Sequence, residues 1–341
     1  MDVIATGACT CLGYTASATA AAVRARISRL AEHPYAVDRR GAPITVAAVP
    51  TMADEPVARR LDRLASTALR DALAGLPSLA PYRVGLLLGL PDARPGFPPD
   101  AAHRLVEAAT VAVGPDVALE LGSVFTHGHA AGLAAIEAAR DSLGTRYDVC
   151  LVLAADSYLS IDTLEWMEAN EALFSPTCRW GYVPGEAAGV CVLGDPHALR
   201  ELGWARQGEV LAGATALEPD ATDPTKARSA RALGDALARA LTPLPPGAPV
   251  SIYCDLNGER SRADEYGFAA LRVRRQLADP SAVCAPASMW GDVGAATGPL
   301  LVALAVEAHR RGYATADHSL VWCASASGDR AALLLNRGAG R

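Results

Sequence analysis

Twice along this 341-residue chain, a loop of small residues opens an alanine-rich helix that leads into an apolar strand. The first copy is Ala131-Gly132-Leu133-Ala134-Ala135-Ile136, followed by Val149–Ala155. The second is Thr297-Gly298-Pro299-Leu300-Leu301-Val302, followed by Leu320–Ala324. Neither helix has a clear polar face, and a helix apolar all round must be covered on every side. Glycine and alanine at the two starts let each helix lie close to its neighbours. The pair predicts a single domain of two pseudo-repeated halves, about 1–195 and 196–341, with the two helices buried at its centre.

The rest of the chain fits that layered plan. Apolar spacing predicts helices over Ser17–Arg29, Ala58–Ala74, Asp100–Ala112, Gly132–Leu143, Ser229–Leu241, Ala263–Leu277 and Gly298–Arg311. Short apolar runs predict strands at Val3–Thr6, Val84–Leu90, Ala118–Phe125, Val149–Ala155, Gly189–Leu193, Val250–Asp255, Leu320–Ala324 and Ala331–Leu335. Alternation of the two kinds is the signature of an α/β fold. The Pro-rich stretch Leu241–Gly247 reads either as a boundary between halves or as a surface loop.

Several function classes are set aside by composition. Apolar residues make up 51% of the chain, yet no uncharged apolar run reaches the ~18 residues of a membrane span. The opening Met1-Asp2-Val3-Ile4-Ala5 lacks a basic region followed by an apolar one, so no secretory signal is read, and a cytoplasmic protein is expected. A net charge of −6 argues against a nucleic-acid partner. The eight cysteines are scattered, mostly inside apolar runs, as small buried thiols are, and none forms a zinc-type pair. Cys254 and Cys323 lie in strands and read as buried, not reactive.

Four segments carry a family resemblance. Val3-Ile4-Ala5-Thr6-Gly7 with Leu12-Gly13 and the helix through Arg29 looks like a first strand, turn and helix. Gly128-His129-Ala130-Ala131-Gly132-Leu133, running on to Asp156-Ser157, looks like a nucleophile elbow with its buried helix and strand. Tyr182-Val183-Pro184-Gly185-Glu186-Ala187-Ala188-Gly189 is the most specific match, and Asp255-Leu256-Asn257-Gly258-Glu259 and Gly291-Asp292 complete the set. In order and spacing these resemble the β-ketoacyl synthases of the thiolase superfamily across roughly the whole chain, with trimmed loops. The resemblance implies a thiolase-like duplicated five-layered α/β/α/β/α fold. It also implies a homodimer, in which the strand around Ala118–Phe125 pairs across the two-fold axis.

The positions where that family keeps its chemistry are altered. His129 stands where the resemblance places the nucleophilic cysteine, whose thiolate a helix N-terminus activates. Imidazole can accept an acyl group, but the acyl-imidazole hydrolyses readily. Asn257 replaces the first catalytic histidine and can donate a hydrogen bond but cannot be a cation. Asp292 replaces the second, and its carboxylate would repel a developing enolate. Ala287 stands where a lysine is expected, and Ser325-Ala326-Ser327-Gly328-Asp329 replaces a Gly- and Phe-rich gating loop. Together these changes point to loss of the ancestral reaction: no confident catalytic residue, no cofactor and no metal are expected.

Other readings of the same residues stay open. His127 and His129 flank Gly128, and with Asp292 they could form a His/Asp metal site. A buried pair of protonated His129 with Asp292, closing the former pocket, is preferred. By the resemblance, Glu186 serves structure. The charge-dense Glu259–Glu265 reads as a helix N-terminus with solvated pairs.

Two further phrases, Asp156-Ser157-Tyr158-Leu159 with Thr163-Leu164-Glu165-Trp166, and Asp255–Arg260, are similar to thiolase-like proteins of bacterial type VI secretion clusters. They imply a non-catalytic adaptor or accessory in effector loading, with effector or adaptor proteins as partners. The alternative is an enzyme, or a cysteine-less partner subunit, of a polyketide or fatty-acid β-ketoacyl synthase, binding a ketosynthase or acyl carrier protein. If the chain is active at all, an acyltransferase using His129 or a bound metal is the remaining option.

Overall fold

A computed structural model describes residues 1–196, 204–219, 221 and 229–338. Twelve strands are defined among them: β1 (Asp2–Thr10), β2 (Ala31–Val37), β3 (Pro43–Val46), β4 (Val84–Gly89), β5 (Leu119–Phe125), β6 (Val149–Ser157), β7 (Glu186–Gly194), β8 (Gly208–Leu217), β9 (Val250–Cys254), β10 (Val283–Cys284), β11 (His318–Ala324) and β12 (Asp329–Arg337). The helices are α1 (Ala16–Arg24), α2 (Val57–Leu73), α3 (Ala101–Val113), α4 (Ala131–Ser142), α5 (Ile161–Ala169), α6 (Arg231–Ala240), α7 (Arg260–Arg272), α8 (Ala287–Trp290) and α9 (Thr297–Arg310).

Ten strands form one sheet in the order β10-β9-β11-β12-β8-β1-β7-β6-β4-β5. Its two halves have the same topology. In the first, β5, β4 and β6 run parallel, then β7 and β1 antiparallel. In the second, β10, β9 and β11 run parallel, then β12 and β8 antiparallel. The two half-sheets are joined where Asp2 and Val3 pair with Glu209 and Gly208.

The layers follow from which faces are apolar. Helix α9 is buried at every position from Thr297 to His309, and it packs on β1, β6 and β7 on one side and on β9, β11 and β12 on the other. Helix α4 likewise bridges β4, β5 and β6 to β8 and β12. Around these two helices Leu133, Ile136, Leu300, Leu301 and Leu304 build the central core, each contributing about 1.5–3 kcal/mol by leaving water. Helices α2 and α3 cover the outer face of the first half-sheet, and α6 and α7 that of the second. The result is five layers, α/β/α/β/α.

Several sequence expectations need correction. The Pro-rich stretch 241–247 is no boundary: it joins α6 to β9 inside the second unit. Strand β8 went unread because Gly-Glu-Val-Leu-Ala-Gly-Ala-Thr-Ala-Leu is poor in β-formers, yet it pairs with both β12 and β1 at the centre of the sheet. The hairpin β2–β3 and helix α5 were also unread; they share a small core around Tyr158, Met167 and Tyr182 beside the site. Helix α7 begins at Arg260, three residues before its expected start, because Arg262 and Glu265 face inward.

Candidate functional site: a closed charge network

Each of the two central helices is preceded by a tight turn, Gly128–Ala130 before α4 and Gly294–Ala296 before α9. The helix starts press together: a Cβ on Gly132 would lie 2.3 Å from Pro299 Cδ, and one on Gly298 would lie 2.9 Å from the Leu133 nitrogen. Gly294 has φ +51°, and a Cβ there would collide with the Asp156 carboxylate. Only glycine allows this approach, and the approach brings the two turns face to face.

Across that junction His129 meets Asp292. Its Nε2 lies 2.7 Å and 2.9 Å from the two carboxylate oxygens, with both residues buried. Asn257 Nδ2 donates to Asp292 Oδ2 at 2.6 Å, and the Gly294 N–H donates to Oδ1 at 2.8 Å. The most specific sequence match holds this aspartate from behind. Asp292 N–H donates to the Val183 carbonyl at 2.7 Å, and Gly185 N–H donates to the Asp292 carbonyl at 2.8 Å. His129, Asn257 and Asp292, the three positions singled out in the sequence, are therefore one hydrogen-bonded unit.

Burial pulls the His129 imidazolium down, but the charge of Asp292 and its hydrogen bond outweigh that, so the net shift is upward. Burial likewise pushes the Asp292 carboxyl up; His129, then Arg262 and Asn257, outweigh it and hold the group well below the ordinary range. A protonated imidazole has no free lone pair and cannot attack a thioester. The space left beside His129, Asp255, Trp290, Asp292 and Thr297 is about 10 Å³, at most one water.

Sequence reasoning missed the second ring of charges. Arg262 donates to Asp255 Oδ2 and to the Ala324 carbonyl, each at 2.5 Å. Asp255 Oδ2 also accepts from the Ala324 N–H at 2.7 Å. Arg94 pairs with Asp156, whose Oδ2 accepts from the Ala295 N–H at 3.0 Å. Arg330 and Glu265 are fully buried and joined at 2.6 Å and 3.0 Å. The expectation of solvated pairs over Glu259–Glu265 is thus overturned for Arg262 and Glu265, which are 5% and 1% exposed. The alternating charges concealed an inward-facing set at i and i+3. Arg94 sits in a Pro-rich loop where no periodicity signals that it turns inward.

The histidine pair does not converge on a common ligand. His127 turns outward, with Nδ1 3.3 Å from Asp329 Oδ1, while His129 faces Asp292. Among the described residues no three His, Cys, Asp or Glu side chains are placed to hold a metal. Glu186 accepts from Arg60 at 2.6 Å, Val49 N–H at 2.8 Å and Ser157 at 3.0 Å, the partners of a structural residue. Cys254 and Cys323 are fully buried, and burial raises both thiols. Ser325 lies against the turn before α4, accepting from the Ala130 N–H at 2.8 Å and donating to the His127 carbonyl. A wider cleft of about 310 Å³ lies on the other face of α4, lined by Phe125, Ala134, Glu137 and Asp329. Among the described residues no helix is long and apolar enough to cross a membrane.

No family model and no curated protein matches the sequence. Solved structures do match the fold. A chain from a type II PKS acyl-carrier protein in complex with its ketosynthase, bound to the hexaketide, aligns at TM-score 0.80 with 15% identity, covering 98% of both chains. The ishigamide ketosynthase/chain length factor aligns at 0.78 with 19% identity, and a β-ketoacyl synthase from Burkholderia phymatum STM815 at 0.74 with 16% identity. Each of these two also covers 98% of both chains. At such identities the likeness concerns architecture, and the chain has the thiolase-like fold of the ketosynthases.

Proposed function

We propose that the protein is a non-catalytic ketosynthase-like protein that works by binding other proteins. One observation carries this reading: the His129–Asp292–Asn257 unit fills the junction where chemistry would occur, with its imidazole tied to a carboxylate. No thiol stands at the turn before α4, and the residual cavity admits no acyl chain. Intact mass after incubation with acyl-CoA or acyl-carrier thioesters is expected to stay unchanged. A stoichiometric increase that disappears in His129→Ala would overturn the reading in favour of an acyltransferase.

The finer proposal is that its clients are effector or adaptor proteins of a type VI secretion cluster, and it rests on the Asp156–Leu159, Thr163–Trp166 and Asp255–Arg260 phrases alone. Affinity purification from the native host should then recover secretion adaptors. A second reading, the cysteine-less partner of an active ketosynthase, is favoured by one observation: the similar folds include a ketosynthase/chain length factor and a ketosynthase with its acyl-carrier protein. Recovery of only a ketosynthase or a carrier protein would select that reading and sink the adaptor.

A further inference from the structure

Helix α1 leaves one face unpartnered. Ala18, Ala21 and Ala25 follow each other at helical spacing, all exposed, and form the floor of an open groove of about 590 Å³. Its length along α1 is about 10 Å, from the rise of a helix. One rim carries Arg24, whose guanidinium lies 4.3 Å over the Tyr313 ring. Arg311 lines the same groove, donating to Ser17 at 2.6 Å and to Glu307 at 3.0 Å.

The charge of this region opposes that of the whole chain. Arg24, Arg26 and Arg29 lie on or just after α1, all exposed, and form no ion pair among the described residues. Glu307 is the carboxylate paired here, and it is shared between Arg310 and Arg311. A chain of net charge −6 thus presents a concentrated basic edge beside a methyl-lined trough. Arg26 also sits at φ +55°, a left-handed position that glycine fills at less cost.

We infer that this groove docks an acidic amphipathic helix of a partner protein. The methyl floor offers nothing to a small anion, which seeks N–H and O–H donors, and the rim arginines are ill suited to a purely apolar segment. Small side chains let a second helix approach to about 8 Å between axes, and carboxylates on its flanks then reach Arg24, Arg26 and Arg311. The inference rests on the protein-binding role proposed above and names its surface. The groove shares no lining residue with the cavity at the His129 junction, so its failure would leave the intact-mass test of that role undisturbed.

The experiment uses the full chain and three labelled synthetic peptides of equal length. One is a helix with an Ala/Leu face flanked by glutamates, one has lysines in place of the glutamates, and one scrambles the acidic sequence. Fluorescence anisotropy should show binding of the acidic helix alone, weakening as salt rises. Arg24→Glu/Arg26→Glu and Ala21→Trp should each weaken it by about tenfold or more, about 1.4 kcal/mol, with unchanged circular dichroism. Should Ala21→Trp disturb folding, Ala25→Trp blocks the same trough. Absence of binding, equal binding of the lysine or scrambled peptide, or indifference to these substitutions would overturn the inference.

Discussion

Asp292→Asn tests the buried pair with almost no change in shape. The wild-type carboxylate accepts from His129, Asn257 and Gly294. In the amide, the oxygen can keep the Gly294 N–H, but the new NH₂ then faces the NH₂ of Asn257, two donors in contact. The charge-assisted bond to His129 is lost as well, worth about 1.5–3 kcal/mol. His129 limits the damage by releasing its proton, so the total should be about 3 kcal/mol, toward the low end for breaking a buried pair. For 341 residues the unfolding entropy is about 0.7 kcal/mol/K, so the melting temperature should fall by about 4 °C.

The pH dependence carries the sharper test. His129 has a folded pKa above its unfolded value, so its contribution is complete below about pH 6.5 and fades as pH rises through the folded value. Asp292 is depressed, so its contribution is complete above about pH 3.9 and is lost only as pH falls through the folded value. The gap between wild type and Asp292→Asn should therefore be widest between those limits and narrow in alkali. Thermal melts followed by circular dichroism across that range measure it. A gap that stays constant with pH, or widens in alkali, would refute the ion-pair account.

Gly132→Ala should cost about 1–3 kcal/mol, since its methyl must displace Pro299 at the crossing of α4 and α9; urea midpoints give the value. Strand β5 ends the sheet with Leu121 45% and Val124 39% exposed, so light scattering should show a dimer, and Leu121→Lys/Val124→Lys should give monomers. A wild-type monomer at micromolar concentration would remove that expectation.

The parts of this fold that were legible in the sequence are those where one physical demand dominates. The two central helices announced themselves because helices buried on every face, such as Thr297–His309, have no polar stripe. The family resemblance implied that His129, Asn257 and Asp292 lie together, and the geometry joins them. What escaped were elements whose residue types argue for nothing by themselves. Strand β8 is half glycine and alanine and depends on its neighbours β12 and β1 for its state. Arg94, Arg262 and Arg330 resemble surface arginines until Asp156, Asp255 and Glu265 are brought to them from distant positions.

The pairing of His129 with Asp292 spans 163 positions of the chain, and that separation bears on how the protein is made. A chain emerges from the ribosome N-terminal end first, so β1 to β7 can assemble before α9 exists. During that interval α4 has lost solvent on its β4–β6 face but still shows its other face to water, with the imidazole of His129 uncovered. Synthesis must continue through β12, which ends at Arg337, before the second half can close over it. The nascent first half is thus the form most exposed to chaperones and proteases.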